Sequence, residues 1–216
     1  MNSFKTAEAI AEPPDTILAE GAVSPHLYTI LSGWVFRYKT LPDGGRQILN
    51  FGLPGDFLGL QSAMMEAMGH SVEALTRVTL CVFPREKLWT LYQSHPSLAF
   101  DVTWLASREE RVMDEHLLAV GRRSASERVA FMLLALWQRA RLVNLVEDNV
   151  LRFPLTQQHL ADALGLSVVH TNKVIRKLTE RDLILWRGGA LSVRDEAGLR
   201  SLASYDSAEK SCRPFI

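Results

Sequence analysis

The residues best suited to chemistry on another molecule lie between Leu155 and Ile184. Thr156 can cap a first short helix that keeps Leu160, Ala161 and Leu164 on its inner side, with Ala161 small enough for a second helix to cross there. Gly165 can take the left-handed backbone of a tight turn, Leu166 can plug that turn, and Ser167 can cap the second helix. On the second helix Thr171, Val174, Ile175 and Leu178 share one face, while Val169, Asn172, Lys173 and Arg176 share the other. An amide, cations and small apolar groups on one exposed face match base edges and phosphates in a major groove. His170 lies beside that face, and Gln157, Arg176 and Lys177 are placed for phosphates. The same pattern also describes an ordinary helix pair with a solvated charged face.

The distribution of charge favours the first of these readings. The formal net charge is zero. Residues 1–120 hold 9 Lys+Arg against 14 Asp+Glu, residues 121–190 hold 11 against 6, and residues 191–216 hold 4 against 4. Positive charge therefore collects around the helix pair, as a polyanionic partner requires. No apolar run reaches bilayer length, and the N-terminus lacks a hydrophobic signal core, so a cytoplasmic protein with no membrane partner is expected. Cys81 and Cys212 form neither a disulfide framework nor a C-x-x-C metal pattern. No nucleophile–base pair, P-loop or metal spacing stands out, so neither an enzyme nor a bound cofactor is expected.

The surrounding elements divide the chain into parts. From about Ile17 to Glu86 short strands alternate with turns. Gly33–Leu53 reads as a hairpin turning at Leu41–Gly45, with Trp34, Phe36 and Tyr38 on one face and Val35, Arg37 and Lys39 on the other. Pro54–Phe57 is a further turn, and Ser71–Pro84 supplies two more strands, giving a small antiparallel barrel or sandwich. Residues 96–120 read as one long helix with Leu98, Val102, Leu105, Val112 and Ala119 on a heptad-like seam that Glu109 and His116 interrupt. Such a seam can pack on the chain's own barrel or on a second copy, and a two-chain interface is the expectation. His116 either titrates near neutral pH or serves as a core residue.

Gly121 is a candidate hinge. Ser124–Glu127 is a capping box opening a helix that buries Val129, Leu133, Leu136 and Trp137. Leu183–Val193 reads as a hairpin turning at Gly188 and Gly189, which makes the helix pair a winged helix. The expected class is α+β, divided as 14–95, 96–120, 121–193 and a tail, 194–216, that starts as a short helix and then becomes disordered.

Taken in order, Glu20–Tyr38, Leu41–Leu49, Pro54–Gly59, Ser71–Thr76 and the helix pair resemble the Crp/Fnr family of bacterial transcription regulators, most closely its FNR- and FixK-like branch. The resemblance implies a β-roll of the cyclic-nucleotide-binding type, a long dimerisation helix and a C-terminal winged helix-turn-helix. It also implies a homodimer on an inverted repeat and contacts to RNA polymerase, with the Leu41–Arg46 turn and the Ala125–Arg141 helix as candidates. The runner-up is a small-molecule-binding roll whose helical tail serves protein contacts.

Departures from the family narrow the ligand. Members that bind cyclic AMP carry Gly-Glu and then Arg-Ser or Arg-Thr where this chain has Gly59-Leu60 and His70-Ser71. Leucine cannot accept the ribose hydroxyl, so cyclic AMP is not expected, although these four residues mark a possible pocket for an unknown small effector. The N-terminus has no cysteine to hold an iron–sulfur cluster. Haem-binding relatives use a Cys or His ligand on the roll. Here Cys81 reads as a buried core thiol and His70 as a solvated loop histidine. Val169, Asn172 and Lys173 stand where the family often has Glu, Ser and Arg, which implies a different half-site.

Overall fold

The computed structural model describes residues 5–205. They form two compact units, residues 5–113 and 114–205, and each folds around its own core.

The first unit is a roll of two four-stranded antiparallel sheets. Its elements are β1 (Ala7–Ala11), β2 (Thr16–Leu18), β3 (His26–Ser32), β4 (Val35–Thr40), β5 (Arg46–Gly52), β6 (Phe57–Leu58), α1 (Leu60–Met65), β7 (Ser71–Ala74), β8 (Val78–Pro84), α2 (Leu88–Ser94) and the start of α3 (Pro96–Arg122). One sheet has the order β1-β8-β3-β6 and the other β2-β7-β4-β5. The expected hairpin is β4–β5, with a register shift at Arg37/Tyr38. Ile30, Val35, Leu58, Val72 and Leu80 fill the core between the sheets. Alternation describes β4 only in part, because Val35 and Phe36 are both fully buried. The roll begins with β1, ahead of residue 14. Ala7–Ala11 has no strand-like alternation, and it is the pairing with β8 that makes it a strand.

The second unit holds the rest of α3, then α4 (Ala125–Leu142), β9 (Val146–Glu147), β10 (Val150–Arg152), α5 (Gln157–Leu164), α6 (Val168–Glu180), β11 (Ile184–Arg187), β12 (Ala190–Val193) and α7 (Glu196–Ala203). Its sheet order is β11-β12-β10-β9. Ser124 caps α4 in the expected capping box with Glu127. Gly121 is not a linker. It lies in the last turn of α3, and the chain breaks instead at Arg123–Ser124. α7 belongs to this unit, since Leu199 and Ala203 are fully buried. The expected disorder of the later tail and Cys212 fall outside the described residues. No helix among the described residues is long and apolar enough to cross a membrane.

Candidate functional site

The helix pair is built by local bonds. The Thr156 hydroxyl accepts from the His159 amide at 3.3 Å, and the Thr156 amide donates back to His159 Nδ1 at 3.1 Å. This is a capping box with histidine in the place of the usual Glu or Gln. Gly165 ends α5 at φ 63°, and the Leu166 amide reaches the Ala161 carbonyl at 3.1 Å. The Ser167 hydroxyl then caps α6 by accepting from the His170 amide at 3.2 Å. One contact escaped the sequence: Arg128 on α4 donates to the Leu164 carbonyl at 3.2 Å and to the Arg123 carbonyl at 2.8 Å. It braces the turn, and no local pattern marks it.

α6 is divided as its periodicity requires. Thr171, Val174, Ile175 and Leu178 are buried, and the Thr171 hydroxyl donates to the Ser167 carbonyl at 3.1 Å. Val169, His170, Asn172, Lys173, Arg176 and Lys177 are exposed, as are Thr156, Gln157 and Ser167. Val169 is 65% exposed. Arg176 pairs with Glu180 at 2.9 Å along the helix. The expected wing is β11–β12, and Gly188 and Gly189 turn it at φ 60° and 74°. Trp186 stands edge-on to Phe153, 5.1 Å between ring centres, and steadies the wing's base. Arg187, just before the turn, and Arg152 on β10 are exposed cations that the sequence reading did not single out.

The roll holds a cavity of about 440 Å³ whose lining includes Gly59, Leu60 and His70. Ser71 is not among the lining residues; its hydroxyl accepts from the Glu20 amide at 3.0 Å. His70 is not a solvated loop residue, being only 9% exposed. Burial, and after it the charge of Arg37, holds its pKa down at about 4. Between pH 6.5 and 4 the unfolded chain therefore binds a proton that the folded roll refuses. Stability should fall as pH falls through that window, and His70→Gln should flatten the fall in urea midpoints measured from pH 7 to pH 4.5.

Arg37 is occupied. Its Nη1 pairs with Glu109 at 2.7 Å and its Nη2 donates to the Phe57 carbonyl at 3.0 Å, while Asn50 adds a 3.1 Å bond to the same Glu109 oxygen. A cyclic nucleotide does not fit these residues. Leu60 accepts no hydroxyl, His70 is neutral, and the guanidinium already faces a carboxylate. Cys81 is buried, and burial pushes its thiol pKa up. Among the described residues no His, Cys, Asp and Glu cluster is arranged to hold a metal ion.

Two expectations about contact surfaces need correction. Val102, Leu105 and Ala119 are buried within the chain itself, and Leu98 and Val112 are half-buried. The α3 seam therefore faces the protein's own interior. His116 shares that side, where burial lowers its pKa despite the hydrogen bond its ring makes to the Ala163 backbone. The exposed side of α3 carries Phe100, Ser107, Arg111, Asp114 and Leu118, with Trp104 half-buried among them. α4 offers little surface to a large partner either, because Val129–Leu134, Leu136, Trp137, Arg139 and Ala140 are all buried. The Leu41–Arg46 turn, by contrast, is open to solvent apart from a half-buried Arg46, with Leu41 64% exposed.

Fold and site together define a winged-helix DNA-binding protein joined to a ligand-sized roll. A cyclic nucleotide-binding domain model matches residues 10–95 and a Crp-like helix-turn-helix domain model matches residues 127–202. The nitrogen fixation regulation protein FixK of Bradyrhizobium diazoefficiens is 33% identical over 190 residues, covering 88% of this chain and 79% of that protein. The transcriptional activatory protein AadR of Rhodopseudomonas palustris is 32% identical over 192 residues, covering 89% and 79%. The solved structure of FixK2 from Bradyrhizobium japonicum superposes with a TM-score of 0.84 at 26% identity, covering 93% of this chain and 98% of that one. The chain belongs to the Crp/Fnr family, in its FNR/FixK-like branch. It is a DNA-binding transcription regulator and not an enzyme.

Proposed function

We propose that the chain acts in the cytoplasm as a homodimer on an inverted repeat, with one α6 in each of two major-groove half-sites about one helical turn apart. The observation that carries this reading is the division of α6 into a buried Thr171–Leu178 face and an exposed Val169–Lys177 face. Val169 packs on a thymine methyl, Asn172 reads adenine, and Lys173 reaches guanine. Thr156, Gln157, Ser167, His170, Arg176 and Lys177 hold the phosphates, joined by Arg187 at the wing.

The dimer seam lies on the exposed side of α3. Phe100, Trp104, Ser107, Arg111, Asp114 and Leu118 recur every three or four residues there, the spacing of a coiled-coil seam. The roll senses a small effector, and the Leu41–Arg46 turn meets RNA polymerase.

Selection from a random DNA library tests the core of this reading. An enriched inverted repeat with half-sites one turn apart is the expected result, and enrichment of single, unpaired sites refutes the dimer. Lys173→Ala should weaken binding to the selected site by about 1–3 kcal/mol while leaving random DNA nearly unaffected. An equal loss on both would reassign Lys173 to a phosphate.

A further inference from the structure

We infer that the cavity of the roll takes an uncharged, mainly apolar small molecule and rejects anions, cyclic nucleotides included. This rests on the reading of the roll as an effector site and adds the chemical class of the effector.

The charges are the first observation. The cavity wall carries one cation, Arg37, against three carboxylates, Asp56, Glu109 and Glu110. Arg37 is already bound to Glu109, and Asp56 is matched by Arg108 at 3.4 Å. His70 supplies no second cation, since it is buried and uncharged at neutral pH. An entering phosphate or carboxylate would meet Glu110, while the charge of the wall's one cation is already offset by Glu109. Taking such an anion out of water without a partner is costly.

The remaining wall is the second observation. Met64, Met65, Met68 and Met113 all line the cavity, four of the six methionines in the chain. Val102 and Leu105 complete an apolar side contributed by α3. Flexible thioethers adapt to apolar shapes without requiring a fixed set of polar partners. Met64 and Met65 are 58% and 74% exposed on α1, which places soft, movable side chains where the cavity meets solvent. The volume of about 440 Å³ falls among ordinary small-molecule sites.

A matched pair of fluorescent probes isolates the charge. N-phenyl-1-naphthylamine is neutral at pH 7, and 8-anilinonaphthalene-1-sulfonate is the same skeleton with a sulfonate added. The full-length protein should bind the neutral probe saturably, one per chain, and more tightly than the sulfonate by about tenfold or more. Cyclic AMP should not displace it. Glu109→Gln, which leaves Arg37 without its carboxylate, should narrow the preference for the neutral probe. Ala106→Trp, at an exposed α3 position on the cavity wall, should abolish probe binding while leaving DNA selection intact.

Equal or tighter binding of the sulfonate, no binding of either probe, or binding that survives Ala106→Trp would each overturn the inference. The DNA selection is read separately. A selected inverted repeat with no probe binding refutes the effector class alone, and probe binding without a selected site refutes the regulator reading alone.

Discussion

The double variant Phe100→Glu/Leu118→Glu is expected to sediment as a monomer and to bind its inverted repeat roughly 10²–10⁴-fold more weakly than the parent. Both side chains are exposed in the single chain, at 69% and 47%. Their replacement by glutamate therefore leaves no cavity and buries no charge in the monomer. In a dimer paired along this side of α3, the same change sets like charges opposite each other at two levels of the seam. Loss of the partner removes the second recognition helix and with it the gain from engaging both half-sites at once. Leu105→Glu, on the other side of α3, does not make this test, because Leu105 is 5% exposed inside the roll. That variant would unfold the protein whether or not it dimerises. A dimer of F100E/L118E persisting in analytical ultracentrifugation, with unchanged DNA affinity, would place the interface elsewhere.

The contrast between Leu105 and Phe100 shows what the sequence carried and what it did not. Heptad periodicity in α3 established correctly that one side of the helix is covered. It could not say by what, because the roll and a second helix impose the same apolar spacing. The recognition unit was legible in detail, since Thr156, Gly165 and Ser167 act on neighbours within a few residues. Capping and turn chemistry are local. β9 and β10, two and three residues long, are too short to show alternation and exist through pairing, β9 with β10 and β10 with β12. Arg128 was invisible for the related reason that its partner, Leu164, is 36 residues away. His70 was misjudged because its enclosure arises only in the folded roll, where Arg37 and Glu109, both more than thirty residues away in sequence, come near enough to act on its charge. A loop histidine beside Gly69 carries no local sign of that enclosure. The cavity's chemistry was thus only half readable: Leu60 and His70 stand out in the sequence as departures from the family pattern, whereas the Arg37–Glu109 pair emerged only with the fold.

Asp56→Ala should cost the roll about 3–5 kcal/mol in denaturant unfolding, the range for removing one partner of a buried ion pair. Asp56 is 2% exposed at the end of the Pro54–Asp56 turn, and its carboxylate accepts from the Leu53 amide at 2.6 Å as well as facing Arg108. Truncation to alanine orphans a buried amide and takes a carboxylate away from a buried guanidinium at the same time. Asp56→Asn retains an acceptor for the amide but not the charge, so it should lose less. The decisive comparison is the pair replacement Asp56→Leu/Arg108→Leu. If uncompensated charge is what makes the single variant unstable, removing both charges should recover a substantial part of the loss, because apolar groups need no partner in that setting. If instead the turn depends on the Leu53 amide bond, the double variant should remain as unstable as Asp56→Ala. Arg108 and Glu109 are adjacent on α3 and pair with opposite charges on the roll, Asp56 and Arg37. Breaking the first pair therefore loosens the helix beside the second, and the neutral-probe affinity of the cavity should fall in Asp56→Ala and return with stability in the double variant.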